Sequence, residues 1–173
     1  MLSDPINLYK LMTLYMLKQA KFPLANSQIS EFFLDKEYTT YFTLQQVFNE
    51  LLDAHLIKQE IIRNSSRYEI TREGEETLVF FGNTISEGII DDIDSFLKEN
   101  KIRLRNEVGV VSDYYKSTNQ DYIVECEVRE GKNILIKLEV AVPSEEQAEI
   151  MCDKWQESNQ QIYAFVMKEL LRD

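Results

Sequence analysis

Gln45, Gln46 and Asn49 place three amides within five residues of one another, on the polar side of a segment whose apolar residues recur at helical spacing. A side-chain amide pairs a donor with an acceptor, the combination that reads the N6/N7 edge of adenine in a major groove. Thr40, Tyr41 and Thr43 stand just before them, with hydroxyls suited to contacts at a groove edge. Lys58, Arg63 and Arg67 follow with positive charge for phosphates, about three cations per chain. These nine side chains point to duplex DNA as the partner.

The elements that would position them follow from periodicity. Thr43 is the expected N-cap of a helix in which Leu44, Val47, Phe48, Leu51 and Leu52 recur at three- and four-residue steps, so one face is core. Gln45, Gln46, Asn49 and Asp53 fall on the opposite face, and His55-Leu56 closes the helix. Ile57 to Ile62 and Arg67 to Thr71 are rich in β-branched residues, and Arg63-Asn64-Ser65-Ser66 between them has the turn chemistry of a hairpin with a four-residue loop. Upstream, Asn26 or Ser27 starts a helix with Ile29, Phe32 and Phe33 inward, and Asp35 to Phe42 reads as a long connection. Helix, helix and hairpin in that order predict a winged helix-turn-helix.

That order, with Leu56-Ile57 before the hairpin and Tyr68-Glu69-Ile70-Thr71-Arg72-Glu73-Gly74 after it, resembles the winged helix-turn-helix of PadR-like bacterial regulators, in which the wing leads straight into another helix. Asp113-Tyr114-Tyr115, Asp121-Tyr122, Arg129-Glu130-Gly131, Val142-Pro143-Ser144 and the lone Trp155 look like the second half of an uncharacterised clostridial family, a domain-of-unknown-function group whose members carry such a winged helix in front. The resemblance covers nearly the whole chain. It implies a fold and a regulatory role, and it implies no target.

Around the reader the chain divides in two. Asp4 caps a first helix with Pro5 at its first position, and from Ile6 to Leu17 that helix is apolar nearly all round. Such a helix needs cover on several sides, which predicts packing by the C-terminal half or by a second copy, hence a homodimer. Glu73 to Ile85 reads as a helix weakened by Gly74 and Gly82, and a further helix runs from about Ile89 to Asn100. The expected domains are therefore 1–85, the winged helix, and 86–173, an α+β domain, with the boundary placed loosely between 84 and 100.

After Lys101 the period becomes two. Tyr122, Val124, Cys126 and Val128, and likewise Ile134, Ile136, Leu138, Val140 and Val142, alternate with polar neighbours to give one dry face and one charged face. Gly131-Lys132 suits a tight turn, and Ile102 to Tyr115 is expected to add a third antiparallel strand with Gly109 as a bulge. Pro143-Ser144 begins a long helix striped by Ala148, Met151, Cys152, Trp155, Ile162, Phe165, Val166 and Leu170, whose first half should cover the sheet before a bend near Ser158-Asn159. The predicted fold class is α+β: an N-terminal winged helix-turn-helix, then a three-stranded antiparallel sheet covered by a long C-terminal helix.

Charge and special residues narrow the function. The net charge of −11 argues against nucleic acid until it is divided: Met1 to Arg72 is neutral, and the whole excess lies from Glu73 onward. Exposed charges more than about 10 Å away are largely screened at 0.1 M salt. His55 lacks a nucleophile and an orienting group nearby in the pattern, and Cys126 and Cys152 fall on apolar faces with no CxxC or histidine companion, so no zinc or other metal site is expected. Asp91, Asp92, Asp94 and Glu99 belong to a helix, not a glycine-turned calcium loop, and read as a solvated face. No phosphate loop and no nucleophile elbow occurs, which predicts a non-enzymatic protein without a cofactor. Met1-Leu2-Ser3-Asp4-Pro5 lacks the charge and apolar run of a secretory signal, and no apolar run reaches the ~18 residues of a membrane span, so a cytoplasmic location is expected. The rival reading is a protein-interaction adaptor, because the exposed helix face carries Glu50 and Asp53 but no Lys or Arg. Sensing of a small effector by the acidic C-terminal half stays open.

Overall fold

The computed structural model describes residues 4–173; residues 1–3, on which part of the reading of the amino terminus rests, lie outside it. Two compact units result, one ending at Val108 and the other starting at Gly109.

Unit 1 opens with α1, Pro5–Ala20, whose N-cap Asp4 accepts a hydrogen bond from the Ile6 amide at 3.0 Å. Met12, Leu14, Met16 and Leu17 are buried on several sides of it, as the sequence requires. The cover comes from within the unit: α1 shares one apolar core with Phe32 and Phe33, with Leu44, Val47 and Phe48, and with Ile93, Leu97 and Leu104. A second copy is therefore not needed to bury this helix, and that ground for a dimer falls away.

The last three of those residues belong to α5, Glu87–Gly109, about twice the expected length. Lys101 to Arg105 alternates charged and apolar residues like a strand, yet Leu104 and Val108 continue the helical spacing of Ile93 and Leu97, and all four are buried. Tertiary bonds hold the segment helical. Arg103 meets Glu107 at 3.0 Å and Glu31 at 2.8 Å, and the buried Gln28 amide donates to the Leu104 carbonyl at 3.1 Å. The third strand of the second unit is consequently shorter than expected, the boundary lies at 108/109 instead of 84–100, and Gly109 ends a helix instead of forming a bulge.

Two further elements, α2 at Asn26–Asp35 and α3 at Tyr41–Asp53, cross the core. Each ends in a left-handed residue, Glu37 at φ 57° and His55 at φ 59°. The Tyr38 and Leu56 amides then reach back to Phe33 and Leu51, which satisfies the last free carbonyls of each helix. Thr40, not Thr43, is the N-cap of α3, since its hydroxyl accepts from the Thr43 amide at 3.3 Å. The connection from α2 thus shrinks to residues 36–40.

A three-stranded antiparallel sheet follows in the order β1-β3-β2, from β1 at Leu24–Ala25, β2 at Ile57–Ile62 and β3 at Ser65–Ile70. Its hairpin turns on two residues, Arg63 at φ 46° and Asn64 at φ 67°, because two consecutive left-handed residues match the twist of the flanking strands. Ser65 and Ser66, expected in a four-residue loop, are paired to Ile62 and Ile61. Next comes α4, Arg72–Phe81, capped by Thr71.

Unit 2 is a second antiparallel sheet in the order β4-β5-β6, built from β4 at Val110–Lys116, β5 at Tyr122–Glu130 and β6 at Asn133–Val142. Gly131 supplies φ 61° to the expected tight turn. Across one face lies α6, Glu145–Leu170, and Val124, Cys126, Ala148, Cys152 and Trp155 form the core between them. The Trp155 indole donates to the Glu127 carbonyl at 3.0 Å. One detail departs from the alternation. Val128 pairs with Ile136 but Arg129 pairs with Ile134, so Leu135 is an extra residue and Ile134 leaves the dry face. Burial along α6 stops at Asn159, so its first half covers the sheet as expected, while Phe165 and Leu170 in the second half are 64% and 78% exposed.

Both cysteines are buried and outside any disulfide, and burial pushes the Cys126 thiol up to about 11. Neither should react with a thiolate-selective reagent at neutral pH until unit 2 unfolds; labelling of the native chain at the rate of a small free thiol would contradict this packing. Among the described residues no helix is long and apolar enough to cross a membrane.

Candidate nucleic-acid interface

With α3 starting at Tyr41, its outer face is set by phase. Phe42, Gln46, Asn49 and Asp53 succeed one another at steps of four, three and four residues, and all are exposed. Phe42 is 85% exposed in the first turn and touches the Tyr41 ring edge-on, 6.1 Å between centroids. Sequence reasoning missed it by placing it in the connection; moving the cap to Thr40 would have brought it into phase. The side-chain amides of Gln46 and Asn49 carry no intramolecular hydrogen bond among the described residues.

The other predicted readers have structural duties. Gln45 is half-buried against α2, where its amide and that of Asn26 bond reciprocally at 2.7 and 3.1 Å. It therefore does not lie on the open face that was expected for a base reader. Thr40 and Thr43 bond to each other at the helix start, their hydroxyl oxygens 3.1 Å apart. Lys58 lies opposite Glu69 across the hairpin, with its ammonium 3.0 Å from the carboxylate and both side chains well exposed. Exposed pairs of this kind contribute about 0–1 kcal/mol, so Lys58 can exchange partners at little cost.

Arg67 is the clearest correction. Its guanidinium is half-buried and donates to the Val108 carbonyl, one of the last carbonyls of α5, where the helix dipole favours a cation. That bond ties to α5 a side chain expected to hold phosphates. Arg63, by contrast, stands exposed at the hairpin tip. Beside the hairpin, Pro23, Lys58, Gln59, Glu60, Arg67 and Glu69 line a concavity of about 180 Å³, below the ~300 Å³ at which ligand pockets begin.

Elsewhere the special residues bind the fold together. The His55 carbonyl accepts the Thr71 hydroxyl at 2.7 Å, and its left-handed backbone is what the chain end of α3 requires. On α5, Asp92 and Asp94 accept the hydroxyls of Tyr38 and Tyr15 at 2.5 and 2.7 Å, so the acidic cluster is in part a set of tyrosine acceptors. Burial, then the adjacent carboxylate, pushes both tyrosines up to about 12. An unfolded tyrosine ionises near 10. Raised in the folded state, each pair contributes stability that is complete below about pH 10 and is lost as pH rises through about 12. Alkaline denaturation should accordingly begin above pH 10 and soften in Tyr38→Phe; an unchanged alkaline limb in that variant would sink the assignment.

The unit that carries this face is acidic. Because α4 and α5 belong to unit 1, residues 1–108 hold twelve Lys and Arg against seventeen Asp and Glu, a balance of −5 in place of the neutrality of residues 1–72.

No curated protein and no solved structure shows significant similarity to the chain. One family model does match, over residues 9–170, which span both units, α3 and the hairpin included. By that match the chain belongs to the family described as Domain of unknown function (DUF4364).

Proposed function

We propose that unit 1 is a winged helix of the PadR-like kind and that the chain is a non-enzymatic, cytoplasmic, DNA-binding transcriptional regulator acting as a homodimer. The observation that carries the reading is the pair of exposed amides, Gln46 and Asn49, in phase on a helix that follows α2 and precedes a two-residue hairpin. In this reading α3 enters a major groove, and Gln46 and Asn49 read base edges. Tyr41 and Phe42 pack at the groove edge, while Arg63 at the wing tip and Lys58 beside it meet phosphates. Gln45, Thr40 and Thr43 position α3 instead of touching bases. Two buried thiols outside any disulfide fit a reducing compartment.

With two phosphate-binding cations per copy a dimer neutralises about four phosphates, and the slope of log affinity against log salt should be about −3.6. Counting Arg67 as a third cation per copy would give about −5. Arg63→Ala should flatten the slope and weaken binding to all sequences alike, whereas Arg67→Ala should leave the slope unchanged. Gln46→Ala or Asn49→Ala should cost about 1–3 kcal/mol at the preferred site alone.

A second reading is favoured by a specific observation. Phe42 is 85% exposed on the same face of α3 as Asp53, in a unit of charge −5, which suits an aromatic anchor on a protein partner better than a phosphate backbone. Failure of the wild-type chain to retain random duplex or genomic fragments in low salt would replace the regulator by the adaptor.

A further inference from the structure

In the order β4-β5-β6, unit 2 has two edge strands, and they differ. Along β4, Val111 and Ser112 are buried and only Tyr115 and Lys116 are exposed. Seven of the ten β6 residues are exposed. Edge strands ordinarily avoid pairing through charged side chains, proline, short length or irregularity. The bulge at Leu135 disturbs only the start of β6, and Ile136 to Val142 runs on without a proline.

Charge on that segment is self-complementary. Lys137 and Glu139 share the face opposite α6, flanked by Ala141, while Ile136, Leu138, Val140 and Val142 share the face toward α6. A two-fold antiparallel pairing must set like faces opposite, so its centre falls on a residue. Centred on Lys137 or on Glu139, it opposes two identical charges. Centred on Leu138, it sets Lys137 against Glu139 of the second copy, twice, with Ile136 against Val140. Within one copy Glu139 lies directly opposite Glu125, a like-charge pair, with the Tyr115 hydroxyl beside it, and Lys137 pairs with Glu127 at 3.5 Å. A lysine arriving beside Glu139 relieves that repulsion.

We propose that two copies of this chain join through β6 in the antiparallel register centred on Leu138, giving one continuous six-stranded sheet. This names the interface of the dimer proposed above, and it is independent of whether the dimer binds DNA.

Sedimentation of the full chain at micromolar concentration tests it. The wild type should run at twice its 20.4 kDa mass. Glu139→Lys keeps the Lys137–Glu127 pair and removes the opposition to Glu125, so unit 2 stays folded by its Trp155 emission. It turns both cross-copy pairs repulsive, however, and should weaken the dimer at least about tenfold. Lys137→Glu should weaken the dimer likewise, although it also loses the ion pair with Glu127. The two variants mixed in equal amounts should dimerise with each other, and the double variant Lys137→Glu/Glu139→Lys should regain wild-type affinity. Single variants that remain dimeric overturn the β6 register and leave a dimer elsewhere intact; a mixture that stays monomeric overturns the register as well. A monomeric wild type overturns both the register and the dimer, and DNA retention by that monomer would still be read separately.

Discussion

Replacing Gly74 with alanine is expected to destabilise unit 1 by about 2–3 kcal/mol, although helix propensity alone favours alanine by about 1 kcal/mol. Gly74 is the third residue of α4, and a Cβ built there would lie 2.1 Å from the Leu56 carbonyl oxygen and 2.8 Å from Ile70 Cγ1. No van der Waals contact is that short, so backbone must move. The backbone in question is already fully engaged. The Leu56 carbonyl accepts the Thr71 amide at 3.0 Å, and the Thr71 hydroxyl accepts from the Gly74 amide at 3.1 Å while donating to His55. Separating the strands of contact by an ångström would loosen the cap of α4 and the chain end of α3 together, each worth about 1 kcal/mol. Urea denaturation followed by far-ultraviolet circular dichroism should show a lower midpoint at unchanged slope. A variant as stable as the wild type would mean that this junction relaxes freely. In that case α3 would not be held at a fixed angle to the hairpin, and the winged-helix reading would lose its rigid reader.

Gly74 also shows what a sequence can and cannot convey. Read alone, it is a weak point in a helix; only the fold brings Leu56 beside it. Signals confined to a few residues translated directly into structure: Asp4-Pro5 into a capped start, Gly131 into a turn, and the alternation of Tyr122 to Val128 into a strand with one dry face. Where two local signals competed, the decision came from outside the window. Lys101 to Arg105 satisfies both periods, and the ion pair to Glu31 and the Gln28 bond, more than seventy residues away in sequence, select the helix. The candidate interface fared similarly. Its helix and hairpin were legible, but the tying of Gln45 and Arg67 to other elements depends on Asn26 and Val108, partners 19 and 41 residues distant. Polar side chains look alike in sequence whether they face water or a carbonyl. The charge of the unit changed for the same reason, because assigning α5 to it added an acidic face.

Trp155→Ala is expected to have the largest effect of any single substitution in the chain, unfolding unit 2 while unit 1 persists. The core of unit 2 consists of Val124, Cys126, Ala148, Cys152 and Trp155, and of these Trp155 is by far the largest. Truncating a buried tryptophan costs about 3–5 kcal/mol through lost burial and the cavity left behind. Here the Glu127 carbonyl also loses its indole donor, which adds about 1–3 kcal/mol if no water replaces it. A sheet of three strands and one helix over 65 residues has little reserve against a loss of that size. Unit 1 keeps its own core, from Met12 to Leu104, and contains no tryptophan. Hydrogen exchange should therefore show β4, β5, β6 and α6 unprotected in the variant, with α1, α3 and the buried face of α5 protected as before. In the wild type, Trp155 emission should be blue-shifted and should move to the red in the transition that exposes Cys126 and Cys152 to alkylation. If exchange rises equally in both units, they unfold as one cooperative body, and a regulator built from them would transmit any event at the sheet directly to α3.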